Sequence, residues 1–84
     1  MKYNISISSG AQKQFRKFPN QIQDAIIPKM LHLEKNPRPH GVQKLRNSEY
    51  YRIRVNDYRI IYSINDKLKT VVILDINHRK DAYR

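Results

Sequence analysis

Apolar and polar residues alternate from Lys2 to Ser8, which puts Tyr3, Ile5 and Ile7 on one side of the run. A period of two predicts a half-buried strand. The spacing then lengthens. Ser8, Ser9 and Gly10 offer an N-cap, and Ala11, Phe15 and Phe18 follow at helical intervals, with Lys13, Arg16 and Lys17 on the other faces. Pro19-Asn20 ends that helix. A second helix is predicted over 21–35, with Ile22, Ala25, Ile26, Met30 and Leu33 as its apolar stripe. Pro28 removes one backbone hydrogen bond and crowds the preceding turn, so a kink or break is expected near Ile27. "NPRPHG" (36–41) reads as a loop. In the second half "YYRIRV" (50–55) alternates, "ND" (56–57) is a two-residue turn, and "YRIIYSI" (58–64) is the next strand. "NDKLK" (65–69) turns again. "TVVILDI" (70–76) is apolar on both faces in its middle, as a central strand is.

The expected fold is α+β: an N-terminal strand, a two-helix hairpin, then a three-stranded antiparallel meander, with the helices packed on one face of the sheet. The 84 residues contain no repeat or linker, so one domain, 1–84, is expected. A chain this short buries only about 60–65% of its unfolded surface, so its core must be thin. The absence of cysteine excludes disulfides and thiolate metal sites and fits a reducing compartment. No apolar run approaches the roughly 20 residues that span a bilayer. The N-terminus lacks the apolar stretch of a signal peptide. The expectation is a soluble, cytoplasmic protein with no membrane association.

Charge changes the picture more than size does. Lys and Arg number 17 against 7 acids, a net charge of +10. That balance favours polyanionic partners, either nucleic acid or a strongly acidic protein. Its distribution is informative. With Asn56-Asp57 as a two-residue turn, Val55 opposes Tyr58, Arg54 opposes Arg59 and Ile53 opposes Ile60. Tyr51, Ile53, Val55, Tyr58, Ile60 and Tyr62 then form one wall, which should pack on the helices. Arg52, Arg54 and Arg59 stand on the other, where neither strand supplies an acid. A directly opposed like-charge pair is destabilising in a sheet. It is tolerated where an anion normally sits, converging guanidiniums suiting phosphate, or on a solvated face where salt screens the repulsion.

The strand 70–76 must lie beside 58–64, so its far end returns towards the Val55–Arg59 end of the sheet. This is expected to bring His78 or Arg79, with Tyr83 beyond, close to Arg54 and Arg59. Lys44 and Arg46 lead into the same sheet, and Lys80 and Arg84 extend the basic end of the chain as further phosphate-binding candidates. Several cations, an imidazole and a phenol in one place suit a phosphodiester. Other chemistries lack support. His32, His40 and His78 have no metal-ligand spacing, and no cofactor motif is present. Asp24, Asp66, Asp75 and Asp81 form no general-acid pair. Ser8 and Ser9 lack a nucleophile elbow.

"NPRPHGVQKLRN", "YYRIRVNDYRIIYSI" and "VVILDINHRKDAYR", in that order, resemble the RelE/ParE superfamily of bacterial type II toxins over almost the whole chain. The resemblance implies a toxin held inactive by a cognate acidic antitoxin, touching operator DNA only through the antitoxin complex. Its RelE branch implies a metal-independent mRNA endoribonuclease acting in the ribosomal decoding site, with the RNA 2′-hydroxyl attacking the adjacent phosphate. Its ParE branch implies inhibition of DNA gyrase without RNA cleavage. On the RelE pattern the site positions are Arg52, Arg54, Arg59, Arg79 and Tyr83, with Arg46 a basic position in the preceding loop. The best-known RelE enzyme has lysines where this chain has Arg52 and Arg54. An arginine is almost never deprotonated near neutral pH, so it stabilises a phosphorane but makes a poor base. Proton transfer is therefore expected of Tyr83, by the resemblance, or of His78, by the chemistry of imidazole. A +10 surface with an apolar rim also suits an acidic segment that orders as it wraps.

Overall fold

The N-terminal alternation becomes a short strand, β1 (Asn4–Ile7), in the computed structural model, which describes residues 2–78. Ser8 then caps α1 (Ser9–Arg16), its hydroxyl accepting the Ala11 N–H at 3.1 Å, as the sequence predicts. After Pro19 comes α2 (Asn20–Lys35), which runs unbroken through Pro28. Pro28 offers no N–H to the Asp24 carbonyl four residues back. Both residues are exposed, so water can take that carbonyl and the helix need not break.

Three strands of the second half form the predicted meander: β3 (Tyr50–Val55), β4 (Tyr58–Asn65) and β5 (Thr70–His78). A two-residue strand, β2 (Gln43–Lys44), adds to the edge of β3. It is too short to show any period in the sequence. The sheet order is β1-β5-β4-β3-β2, with β1 parallel to β5 and the other pairings antiparallel. The expected central strand, β5, lies between β1 and β4. Asn56 takes a φ of 56°, the left-handed conformation a tight β3–β4 hairpin requires and asparagine tolerates.

The predicted apolar wall faces the helices. Ile53, Val55, Ile60, Tyr62, Val71, Ile73 and Ile76 are buried against Ala11, Ile26, Met30 and Leu33. One irregularity makes this possible. Tyr62 opposes Ile73 and Ile61 opposes Asp75, so Leu74 is an extra residue, a β-bulge. Without it, strict alternation from Val71 and Ile73 would turn Asp75 into the core and Ile76 out of it. Beyond the end of β1, α1 receives the backbone around the bulge. The Ser8 hydroxyl donates to the Leu74 carbonyl at 3.1 Å, and the Ile76 N–H donates to Gln14 Oε1 at 3.0 Å.

The loop after α2 is pinned to this frame. The buried Tyr62 hydroxyl donates to the Pro37 carbonyl at 2.7 Å, and burial pushes that phenol's pKa up. Arg38 forms an ion pair with Asp66 in the β4–β5 turn at 3.0 Å, and Tyr3 donates to the same carboxylate at 2.6 Å. The Arg38 guanidinium, and then the Tyr3 hydroxyl, hold the Asp66 carboxyl down at about 2 from an ordinary 3.8. A depressed carboxylate contributes stability that is full above its unfolded value and lost as pH falls through the folded one. The contribution should therefore fade between about pH 4 and pH 2. Asp66→Asn should lower the melting midpoint by a few degrees at most at pH 6, the pair being exposed. That gap should close by about pH 2; thermal melts across the range check it. No helix among the described residues is long and apolar enough to cross a membrane.

Candidate nucleic-acid interface

Two cross-strand rows on the outer face of the sheet contain the arginines. Gln43, Arg52, Ile61 and Asp75 oppose one another in the first; Arg54, Arg59 and Asn77 do so in the second. The predicted Arg54–Arg59 opposition is therefore present, with Arg52 two residues along the same strand. The three guanidiniums differ in setting. Arg59 is only 9% exposed, Arg52 is half-buried and hydrogen-bonded to Gln43 Oε1, and Arg54 stands in solvent. Neither β3 nor β4 puts an acid on this face. One strand further, Asp75 does, its carboxylate accepting from Asn77 Nδ2 at 2.5 Å. The face can hold and polarise a phosphate through fixed forks of donors. No arginine on it can serve as a base.

His78 is not part of this face. It opposes Tyr58, and its ring meets the Tyr58 ring edge-on with centroids 4.9 Å apart. Tyr58 in turn packs on Phe18 at 4.8 Å, so His78 belongs to the helix side of the sheet. The bulge is the reason. It reverses the parity of β5 after Leu74 and so puts Asn77, instead of His78, on the arginine face, with Asn77 opposite Arg59. Lys44 is also apart from the arginines. It opposes Tyr51 and lines a hollow with Arg38 and Glu49 on the other face. Arg46 is exposed in the loop between β2 and β3. Arg79, Lys80, Tyr83 and Arg84 lie outside the described residues.

Two groups near the arginines have no signal in the sequence pattern. A cleft of about 300 Å³ opens at the β3 edge, lined by Arg52, Arg54 and Gln43 together with Lys29 from α2 and His40 from the loop. His40 is presented by a stiff segment. Pro37 and Pro39 are buried on either side of Arg38, the Val42 N–H donates to the Pro39 carbonyl at 3.1 Å, and Gly41 takes a φ of 90°. That φ is open to glycine and strained for other residues. In the sequence "NPRPHG" announces a loop but not what the loop faces. Among the described residues, no group of three or more histidines and carboxylates is placed to hold a metal ion.

Comparison with known proteins extends this geometry. A family model described as the ParE toxin of the parDE type II toxin–antitoxin system matches residues 5–83. The toxin RelG of Mycobacterium tuberculosis is 31% identical over 86 residues, covering 100% of this chain and 99% of RelG. Among solved structures, the archaeal RelE–RelB complex of Pyrococcus horikoshii contains a chain with TM-score 0.84 and 32% identity, covering 94% of this chain and 97% of that one. The RelBE2 toxin–antitoxin complex of Mycobacterium tuberculosis gives TM-score 0.84 at 28% identity, covering 94% of this chain and 100% of that one.

Proposed function

From the premise that this chain belongs to the RelE/ParE superfamily of type II toxins, we propose that it is an mRNA endoribonuclease acting on translating ribosomes. The observation that carries this reading is the Arg52, Arg54 and Arg59 cluster, with Arg54 directly across from Arg59 and no acid on that face of either strand. Guanidiniums converging on one face suit a bound phosphodiester. In the proposed reaction the RNA 2′-oxygen bonds to the adjacent phosphorus and the bond to the 5′-oxygen breaks. The products are a cyclic phosphate and a free 5′-hydroxyl. The guanidiniums stabilise the extra negative charge of the phosphorane, an effect worth most when donors are fixed in advance. Arg59, the most buried of the three, is the best fixed. The 2′-hydroxyl needs a proton acceptor, and the placement of His78 on the helix side leaves Tyr83 the better candidate of the two.

An antitoxin is the proposed partner. The matched complexes from Pyrococcus and Mycobacterium each pair a toxin with an antitoxin, and a chain of net charge +10 favours an acidic one. A second reading is a ParE-like inhibitor of DNA gyrase, favoured by the description of the matching family model. Purified protein added to translating ribosomes with end-labelled mRNA separates them. The first reading expects fragments ending in cyclic phosphate. Intact message at doses that arrest growth, together with inhibited gyrase supercoiling, would establish the second instead.

A further inference from the structure

The cleft at the β3 edge is not explained by a reaction confined to the sheet face. Lys29 stands at its far wall, on α2, and His40 on the pinned loop. Neither shares a strand with the arginines. Arg52 and Arg54 line both regions, so the cleft is continuous with the proposed scissile site. Among its lining residues are three cations and one imidazole, and no carboxylate. The backbone adds a donor. The Leu45 N–H donates to the Tyr50 carbonyl at 2.9 Å, so Tyr50, Arg52 and Arg54 direct their main-chain groups to the β2 side. β2 stops opposite Arg52, which leaves the Arg54 N–H at the open edge of the sheet.

We propose that this cleft is a subsite for a nucleotide flanking the cleaved one, in which Lys29 and His40 grip an RNA phosphate beyond the bond that breaks. The proposal rests on the ribonuclease reading and adds to it a path for the strand, off the arginine face and over the β3 edge towards α2. A groove of this volume is at the lower end of the usual range for small-ligand sites and suits one nucleotide. The groups facing His40 are Lys29 and His32 from α2 and Arg52 and Arg54 from β3, all donors or cations.

The test reads binding instead of cleavage. A short 2′-O-methylated oligoribonucleotide binds but cannot be cut, because the attacking hydroxyl is blocked. Its affinity is titrated against salt. Each phosphate of a single strand that is no longer neutralised by a protein cation lowers the slope of log K against log salt by about 0.7. Lys29→Gln should reduce the slope by that much. His40→Ala should weaken binding, because the ring N–H that donates to the phosphate is lost. Both side chains are exposed, so melting midpoints should not move. If both variants keep the wild-type slope and affinity while Arg54→Gln reduces the slope by about 0.7, the strand does not use the cleft and the subsite is refuted. A wild-type protein that does not bind the oligonucleotide would also refute the subsite, whereas the ribonuclease reading stands or falls separately on cleavage of message on translating ribosomes.

Discussion

Arg54→Met is expected to destroy cleavage while leaving the fold as stable as before or slightly more so. The two halves of this expectation come from one cross-strand pair. Arg54 is directly opposite Arg59 on the outer face, and opposed like charges in a sheet cost roughly 0.2–1 kcal/mol. Arg54 is exposed, so water and salt screen the repulsion and the gain should sit at the low end. Methionine keeps most of the side chain's apolar stem over the sheet. Removing one fixed donor to a developing oxyanion costs about 10²–10³ in rate, so mRNA cleavage on ribosomes should fall by that factor. Chemical denaturation and a cleavage time course on the same preparation check both halves. Arg59→Met provides the contrast: at 9% exposure this side chain is part of the packing as well as the site. It should lose activity and stability together. If Arg54→Met also loses stability by more than about 1 kcal/mol, the cluster is structural and the inference of a phosphate site loses its basis.

The course of the main chain was legible because most of it obeys simple periods. The wall of Tyr51, Ile53, Val55, Tyr58, Ile60 and Tyr62, and the arginines behind it, follow from a two-residue turn and period-two alternation, and the register agrees residue by residue. The pairing of β5 with β4 follows from a short turn. What alternation cannot reveal is an interruption of itself. The Leu74 bulge has no marker such as glycine in "VVILDINH", and it decides which of Asn77 and His78 joins the arginines. A sequence reader can detect the problem only indirectly, by noticing that Val71, Ile73 and Ile76 cannot share a face without an extra residue. His40 and Lys29 were hidden for another reason. They reach the β3 edge through the packing of a loop and a helix, held by the Tyr62–Pro37 hydrogen bond and the Arg38–Asp66 pair. Those long-range interactions leave no periodic trace in the sequence.

Ile60→Ala should be the most damaging conservative change to the fold. Ile60 is fully buried at the centre of the sheet, opposite Ile53 on one side and Ile76 on the other. Truncating a buried isoleucine costs about 2–5 kcal/mol, the transfer of the lost atoms plus the cavity they leave. The upper part of that range is expected, because a site walled by two strands and a helix layer has little freedom to collapse. Total stability for 84 residues is about 4–13 kcal/mol at 0.05–0.15 per residue. The loss is thus a large fraction of the whole. Ile60→Val, which removes one methylene, should cost about 1 kcal/mol. Urea denaturation should show the midpoint falling in that order with the slope unchanged, since the surface exposed on unfolding is nearly the same. Arg59 and Ile61 flank Ile60 on the outer face, so the molecules that remain folded should retain an intact arginine cluster. Cleavage by Ile60→Ala should therefore fall in proportion to the unfolded fraction and recover on cooling or in stabilising osmolyte. Arg54→Met should show no such recovery. A cleavage defect in Ile60→Ala that exceeds its unfolded fraction would mean that core packing, and not only the arginines themselves, sets the geometry of the site.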